Sequence, residues 1–190
     1  MNRSGASRNG GARIAAAILP VLLACCSFGS RHAGPPVTVV PKVDLDRYAG
    51  KWYEIAKYPN RFQRGCVGAT AEYTPAQDGK SIRVVNRCVE DGPGGKERSV
   101  RGKARVVDRD TNAKLKVTFF WPFSGDYWIL ALGPGYEYAV VGTPDRKYLW
   151  FLARTPTVDD GLYARLVEEA RRQGFDPARI ERSTPLPPAS

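Results

Sequence analysis

Four cysteines and a single histidine bound the chemistry open to this 190-residue chain. The histidine, His32, lies in a stretch rich in Gly, Pro and Ser, so no imidazole base is available to a folded domain. Cys25 and Cys26 adjoin an N-terminal apolar run, which leaves Cys66 and Cys88 for the fold. A metal site would want more ligands than these two sulfurs, and a nucleophilic thiol would want a base beside it. In an exported chain the remaining pair is expected as a disulfide. Closing a loop of about 22 residues stabilises by roughly 3 kcal/mol in the chain-entropy account. No metal and no cofactor is expected. The other conspicuous group is Glu54, a carboxylate two residues after Trp52 in the run Gly50-Lys51-Trp52-Tyr53-Glu54-Ile55-Ala56. Inside an apolar cavity it would cost several kcal/mol unless paired with a tyrosine, with Asn86 or with a ligand headgroup.

The N-terminus carries an address. Arg3, Arg8 and Arg13 precede an apolar run from Ile14 to Leu23, too short for a stable bilayer-spanning helix. A basic region followed by a short apolar core is the pattern of a secretory signal. The run ends Leu22-Leu23-Ala24-Cys25, which resembles a lipobox position for position. That resemblance implies a lipoprotein signal peptide at 1–24 and acyl chains on Cys25, with residues 25–41 as a tether. Within that tether only Val37, Val39 and Val40 are apolar enough to dock on anything. Each buried methylene of an acyl chain contributes about 0.8 kcal/mol, so several chains hold a domain on a membrane.

Charge narrows the partners. The formal net charge is +10, and residues 1–24 hold three arginines and no acids, leaving +7 from residue 25 onward. Arg83, Arg87, Arg101, Lys103, Arg105, Lys114 and Lys116 alternate with apolar residues instead of forming a tract. They read as the wet face of strands, and no nucleic acid is expected as a partner.

The elements that position Trp52 and Glu54 follow from the alternation. Strand-like segments run over 52–58, 67–74, 81–90, 97–107, 114–120, 127–132, 136–141 and 148–154. Turn chemistry separates them: Pro59-Asn60, Asp78-Gly79, Asp91-Gly92-Pro93, Trp121 to Gly125, Gly133-Pro134-Gly135, and Pro144-Asp145. The connections leave no room for crossover helices, so the expectation is all-β: an eight-stranded antiparallel up-and-down β-barrel. Small residues (Ala69, Ala71, Gly102, Ala104) share the inward face with Tyr73, Phe119 and Trp150, which implies a cavity instead of a filled interior. After Pro156 the period changes. Leu162, Leu166, Val167 and Ala170 recur at helical spacing, with Asp159 and Asp160 at the start, Arg171 and Arg172 at the end, and Gly174 beyond. This C-terminal α-helix is expected outside the barrel, on Leu149 and Phe151.

Taken in order, Gly50-x-Trp52-Tyr53-Glu54-Ile55-Ala56, Arg61-Phe62-x-Arg64-Gly65, Phe119-Phe120-x-Pro122-Phe123 and the run from Pro144 through Trp150 to Arg154-Thr155-Pro156 resemble the lipocalins, and among them the bacterial outer-membrane lipoprotein lipocalins. The resemblance implies a lipocalin barrel with its helix over 42–190, closed at the floor by Gly50, Trp52 and Arg154. It implies a fatty acid or lysophospholipid as ligand, a lipid-anchored location in the outer membrane facing the periplasm, and the possibility of a homodimer. Residues sharing parity with Trp52 and Arg154 are the expected lining: Glu54, Ala71, Tyr73, Phe119, Tyr148 and Trp150, with Trp128 and Tyr138 as further candidates. Gly133-Pro134-Gly135 stands where many lipocalins have Thr-Asp-Tyr, which puts the floor's hydrogen bonds there in question. The expectation is a binding protein and not an enzyme. The alternatives are an envelope protein-interaction module and a cavity-based isomerase, the second needing a free thiol.

Overall fold

The computed structural model describes residues 35–77, 81–90 and 95–186; the expected signal peptide at 1–24, Cys25 and most of the expected tether lie outside them. A short helix, α1 (Leu45–Tyr48), is capped by the Asp44 side chain, which accepts from the amides of Asp46 and Arg47. It leads into β1 (Gly50–Lys57) through Gly50, whose φ of 92° is a conformation that a side chain would strain. The strands β2 (Cys66–Pro75), β3 (Ser81–Glu90), β4 (Glu97–Val106), β5 (Lys114–Phe120), β6 (Phe123–Leu132), β7 (Tyr138–Gly142) and β8 (Leu149–Ala153) follow. Each pairs antiparallel with its neighbour in sequence, and β1 pairs with both β8 and β2, closing an eight-stranded barrel.

Several strand ends shift from those read off the sequence, most by one or two residues, and two shifts have a local cause. Trp121 to Gly125 was expected as a turn, but Phe120 pairs with Phe123, so β6 starts at Phe123 and only Trp121 and Pro122 form the tip. Tyr136 has a φ of 63° and belongs to the preceding turn, so β7 begins at Tyr138.

A ninth strand has no counterpart in the sequence reading. The β1–β2 ladder covers only Gly50 to Tyr53. Above it the sheet parts, and β9 (Glu181–Arg182) pairs with Ala56 and Lys57. Ser183 donates its amide to Ile55 O and Thr184 donates to Val67 O, so the C-terminal segment bridges the seam. Gly68 makes this possible: a Cβ there would lie 2.5 Å from the Thr184 carbonyl oxygen.

The second helix, α2 (Asp160–Arg172), is capped by Asp159, which accepts from the Leu162 amide. At its end Gly174 N bonds to Arg171 O and Phe175 N to Ala170 O, the paired closure of a Schellman motif. Leu166, Ala170 and Phe175 bury against Leu149, Phe151 and Val140 on the outer barrel wall, as the stripe predicted. The segment before α1 is docked as well. Val39 and Val40 pack on the barrel, Thr38 N donates to Gln173 Oε1, and Val43 N donates to Thr111 O.

Candidate ligand cup

Register decides which side chains face inward. Trp52 pairs with Ala71 and Gly50 with Tyr73, and across the next ladder Ala71 pairs with Asn86 and Tyr73 with Val84. Continuing round, Asn86 meets Val100, Val84 meets Gly102, Leu115 meets Tyr127, and Val141 meets Trp150. These residues share one face because side chains alternate along each strand.

At the floor Trp52 is completely buried, and its indole Nε1 donates to Tyr48 O at 2.9 Å. The Arg154 guanidinium lies 3.9 Å over the ring and donates to Lys51 O (2.9 Å), Arg47 O (2.7 Å) and Tyr136 O (3.2 Å). A cation on a desolvated indole is worth about 2 kcal/mol. The turn of Gly133, Pro134 and Gly135 has its own solution to floor hydrogen bonding. Arg47 donates to Pro134 O at 3.2 Å and stacks 4.2 Å over the Tyr136 ring, whose hydroxyl accepts from Asp44 N at 2.9 Å.

Above the floor three phenols meet. Tyr127 is within 2.7 Å of the Tyr48 hydroxyl and 2.8 Å of the Tyr73 hydroxyl. Burial raises all three pKa values, that of Tyr73 to about 12, because a phenolate has no water to solvate it. They are a neutral hydrogen-bonded layer. Asn86 lies on the same inward face, and its buried Oδ1 has no hydrogen-bond partner among the described residues.

The upper cup is different in kind. Tyr148 and Trp150 stack with planes 9° apart, and Phe62 approaches Tyr148 at 5.9 Å between ring centres. Facing them, Gly102 leaves room for the Phe119 ring, which a Cβ there would meet at 2.7 Å. Val100, Val117, Phe119, Tyr148 and Trp150 are only partly buried, whereas Trp52, Val84, Leu115, Ile129 and Val141 below are buried. The interior therefore grades from packed at the floor to open at the mouth.

Glu54 is paired, though with none of the partners expected of it. Its Oε1 accepts from Lys57 Nζ (2.8 Å) and Ser183 Oγ (2.6 Å), and Oε2 accepts from Gln63 Nε2. A bulge between Glu54 and Ala56 places Lys57 back on the inner face. Gln63 comes from a 3₁₀ turn (Arg61–Gln63) capped by Asn60, and its Oε1 accepts from Trp150 Nε1 at 3.0 Å. The buried ion pair is thus wired to the aromatic wall. Cys66 and Cys88 are joined, with Cα atoms 5.6 Å apart, so neither sulfur is a free thiol.

Of the expected lining, Glu54, Ala71, Tyr73, Phe119, Tyr148 and Trp150 lie on or beside the inner face. Trp128 and Tyr138 do not. Trp128 pairs with Gly142 and Lys114 on the outer face, the Lys114 ammonium 4.8 Å from its ring. Tyr138 lines a groove of about 400 Å³ between the barrel and α2, beside Ala131 and Leu166. Both belong to segments apolar on both faces, where alternation gives no parity. Tyr127, Gln63, Lys57 and Ser183, which the sequence reading did not select, hold the inner positions.

Known proteins agree with this geometry. A family model described as a lipocalin-like domain matches residues 43–185. The chain is a lipocalin. It is 42% identical over 167 residues to the outer membrane lipoprotein Blc of Escherichia coli (strain K12), covering 88% of this chain and 92% of that protein. Blc of Vibrio cholerae is 40% identical, over 84% of the lipocalin and 94% of its relative. Temperature-induced lipocalin-1 of Arabidopsis thaliana is 39% identical, covering 80% and 86%. Among solved structures, insecticyanin from the tobacco hornworm Manduca sexta shares the fold, with a TM-score of 0.63 at 23% identity, covering 80% of the lipocalin and 85% of its own chain.

Proposed function

We propose that the lipocalin holds a fatty acid or lysophospholipid in its cup while anchored in the outer membrane through acyl chains on Cys25. The observation that carries the ligand reading is the graded interior. An acyl tail needs apolar walls that it alone completes, and the partly buried faces of Trp150, Tyr148 and Phe119 opposite Gly102 are such walls. The polar node of Glu54, Lys57 and Gln63 holds Trp150 from behind, which fixes the wall against which a tail would lie. The anchor reading rests on the lipobox at Leu22 to Cys25 and on the relatives named outer membrane lipoprotein. Storage, transport or envelope maintenance are the roles that such a cup and tether serve, and the reading is of a binder and not a catalyst.

Trp150→Ala is expected to weaken fatty-acid binding at least tenfold, about 1.4 kcal/mol, in a fluorescent-ligand displacement assay. Unchanged affinity would remove the cup assignment. Native mass spectrometry of the purified protein identifies the lipid that co-purifies, and the mass of its N-terminal peptide reads acylation of Cys25 directly. Sedimentation without ligand and with saturating ligand tests for a homodimer.

A further inference from the structure

The mouth carries an apolar surface that the cup does not use. Among the described residues the exposed large hydrophobics are Phe62, Val107, Phe120, Trp121 and Phe123, at 63%, 43%, 69%, 88% and 77% exposure. Four of the five stand at the open end. Trp121 stands at the β5–β6 tip between the paired Phe120 and Phe123, and Phe62 stands on the β1–β2 loop; both connections leave the end opposite Trp52 and Arg154. Phe62 rests on Tyr148 at the rim, whereas Phe120, Trp121 and Phe123 fill no part of the barrel, and leaving those three in water is unfavourable.

The geometry points to this aromatic lip as a docking surface for an anionic lipid bilayer, entered mouth first. Two further observations choose a bilayer over other occupants. The stretch from Phe120 to Gly125 has no charged side chain, and the β1–β2 loop at the same open end carries the exposed Arg61 and Arg64 with no acid between Tyr58 and Gly65. Arg61 lies 5.0 Å over the Phe62 ring, which pairs a headgroup-seeking cation with an interfacial aromatic. The second observation is where the tether arrives. The described chain begins at Pro35, whose carbonyl accepts from Arg146 Nη2 in the β7–β8 turn at the mouth, and from there it descends the wall to Val43 and Thr111 at the base. Ten Cα–Cα steps, nine residues between them, separate Cys25 from Pro35. Fully extended they reach at most about 35 Å, close to the length of one ten-residue strand. The described chain therefore begins at the mouth, so the shortest path from an anchor at Cys25 leads to that end. This second point rests on the lipoprotein reading, which the N-terminal mass tests separately; the lip itself stands whether or not the cup holds lipid.

The test uses the full chain as the cell processes it, mixed with vesicles of phosphatidylethanolamine and phosphatidylglycerol whose acyl chains are brominated near the headgroup. Bromine in the bilayer is expected to quench tryptophan fluorescence by at least a third. The quenching is expected to be lost in Trp121→Phe and retained in Trp150→Phe. The exposed triple variant Phe120→Ser, Trp121→Ser, Phe123→Ser is expected to keep its fatty-acid affinity in solution but to slow at least fivefold the uptake of a fluorescent fatty acid from the vesicles. Quenching that survives Trp121→Phe and disappears with Trp150→Phe would report a lipid in the cup alone and overturn the docking surface. Protection of Trp121 from acrylamide that rises with protein concentration without vesicles would assign the lip to a second copy of the chain, and also overturn it.

Discussion

Trp52 and Trp150 are the same residue type on the same face of the same barrel, and they are used in opposite ways. Trp52 is sealed. Its ring is covered by Arg154, its N–H is spent on Tyr48 O, and it has no exposed surface. Trp150 is held from behind, its N–H on Gln63 and its ring stacked on Tyr148, with part of its surface left open. The floor spends an indole on closure, whereas the mouth spends one on a wall. What separates them is the supporting cast. Arg154 meets three backbone carbonyls that the fold supplies in any case, while Gln63 must be delivered by a loop and oriented by Glu54.

The sharpest test of that contrast exchanges each ring for alanine. Trp52→Ala is expected to lower unfolding free energy by about 3–5 kcal/mol, the usual cost of emptying a packed aromatic site. Trp150→Ala, already half open, is expected to cost less than half as much while losing ligand affinity. Chemical denaturation of the two variants reads both. Equal losses of stability would make Trp150 a core residue and erase the difference between floor and mouth.

Next in size is Lys57→Met. It strands the Glu54 carboxylate, which is shielded from water on an inner face. Removing one partner of a buried pair costs about 3–5 kcal/mol, and the low end is expected here because Gln63 and Ser183 still donate to Glu54. Because Gln63 is shared with Trp150, this variant is also expected to loosen the wall, red-shifting Trp150 emission. A loss of stability with no spectral change would mean that the ion pair serves the β9 seam through Ser183 and not the cup.

Much of this architecture is legible in the sequence, and the failures have physical causes. Alternation over 67–74 fixes parity because small apolar and polar residues take turns there, so Ala71 and Tyr73 fall where expected. Parity fails where both faces are apolar. Over 127–132 the outer face lies against α2 and the docked N-terminal segment, and only the register of Leu115 with Tyr127 shows that Tyr127, not Trp128, points inward. Bulges compound this: the shift between Glu54 and Ala56 returns Lys57 to the inside, and another between Ile129 and Ala131 resets β6. A two-residue strand such as β9 has no period at all. Its only trace in the sequence is Gly68, in a position where a side chain would strike Thr184.

The phenol layer between floor and mouth gives a smaller effect with a defined sign. A free tyrosine loses its proton near pH 10, whereas burial holds Tyr73 neutral to about 12. Below pH 10 both states keep the proton and the contribution is intact. Between 10 and 12 the unfolded chain releases it and the folded chain does not, so stability falls as pH rises. Thermal melts from pH 9 to 12 are expected to show that decline, and Tyr73→Phe is expected to lessen it, with Tyr48 and Tyr127 supplying the remainder. An unchanged slope would place the Tyr73 hydroxyl in contact with water and open the floor as well as the mouth.

The smallest expected change runs the other way. Asn86 sits between Ala71 and Val100 with its Oδ1 buried and unpaired among the described residues, one ladder position above the layer of Tyr73 and Val84. An unsatisfied buried acceptor costs about 1–3 kcal/mol. Asn86→Leu keeps the branched shape with bulkier ends, which the partly open cup can take, and is expected to raise the melting temperature by about 2–4 °C for a gain near 1 kcal/mol. If a ligand group reaches that depth, the amide is the acceptor it would meet. The matching loss is therefore expected in binding: affinity for a lipid carrying a hydroxyl at that depth falls about fivefold in Asn86→Leu, while affinity for a plain saturated fatty acid holds or rises. A variant that melts lower than the parent would show that the amide was already satisfied within the barrel, and the boundary between packed floor and open cup would then lie above Asn86 instead of below it.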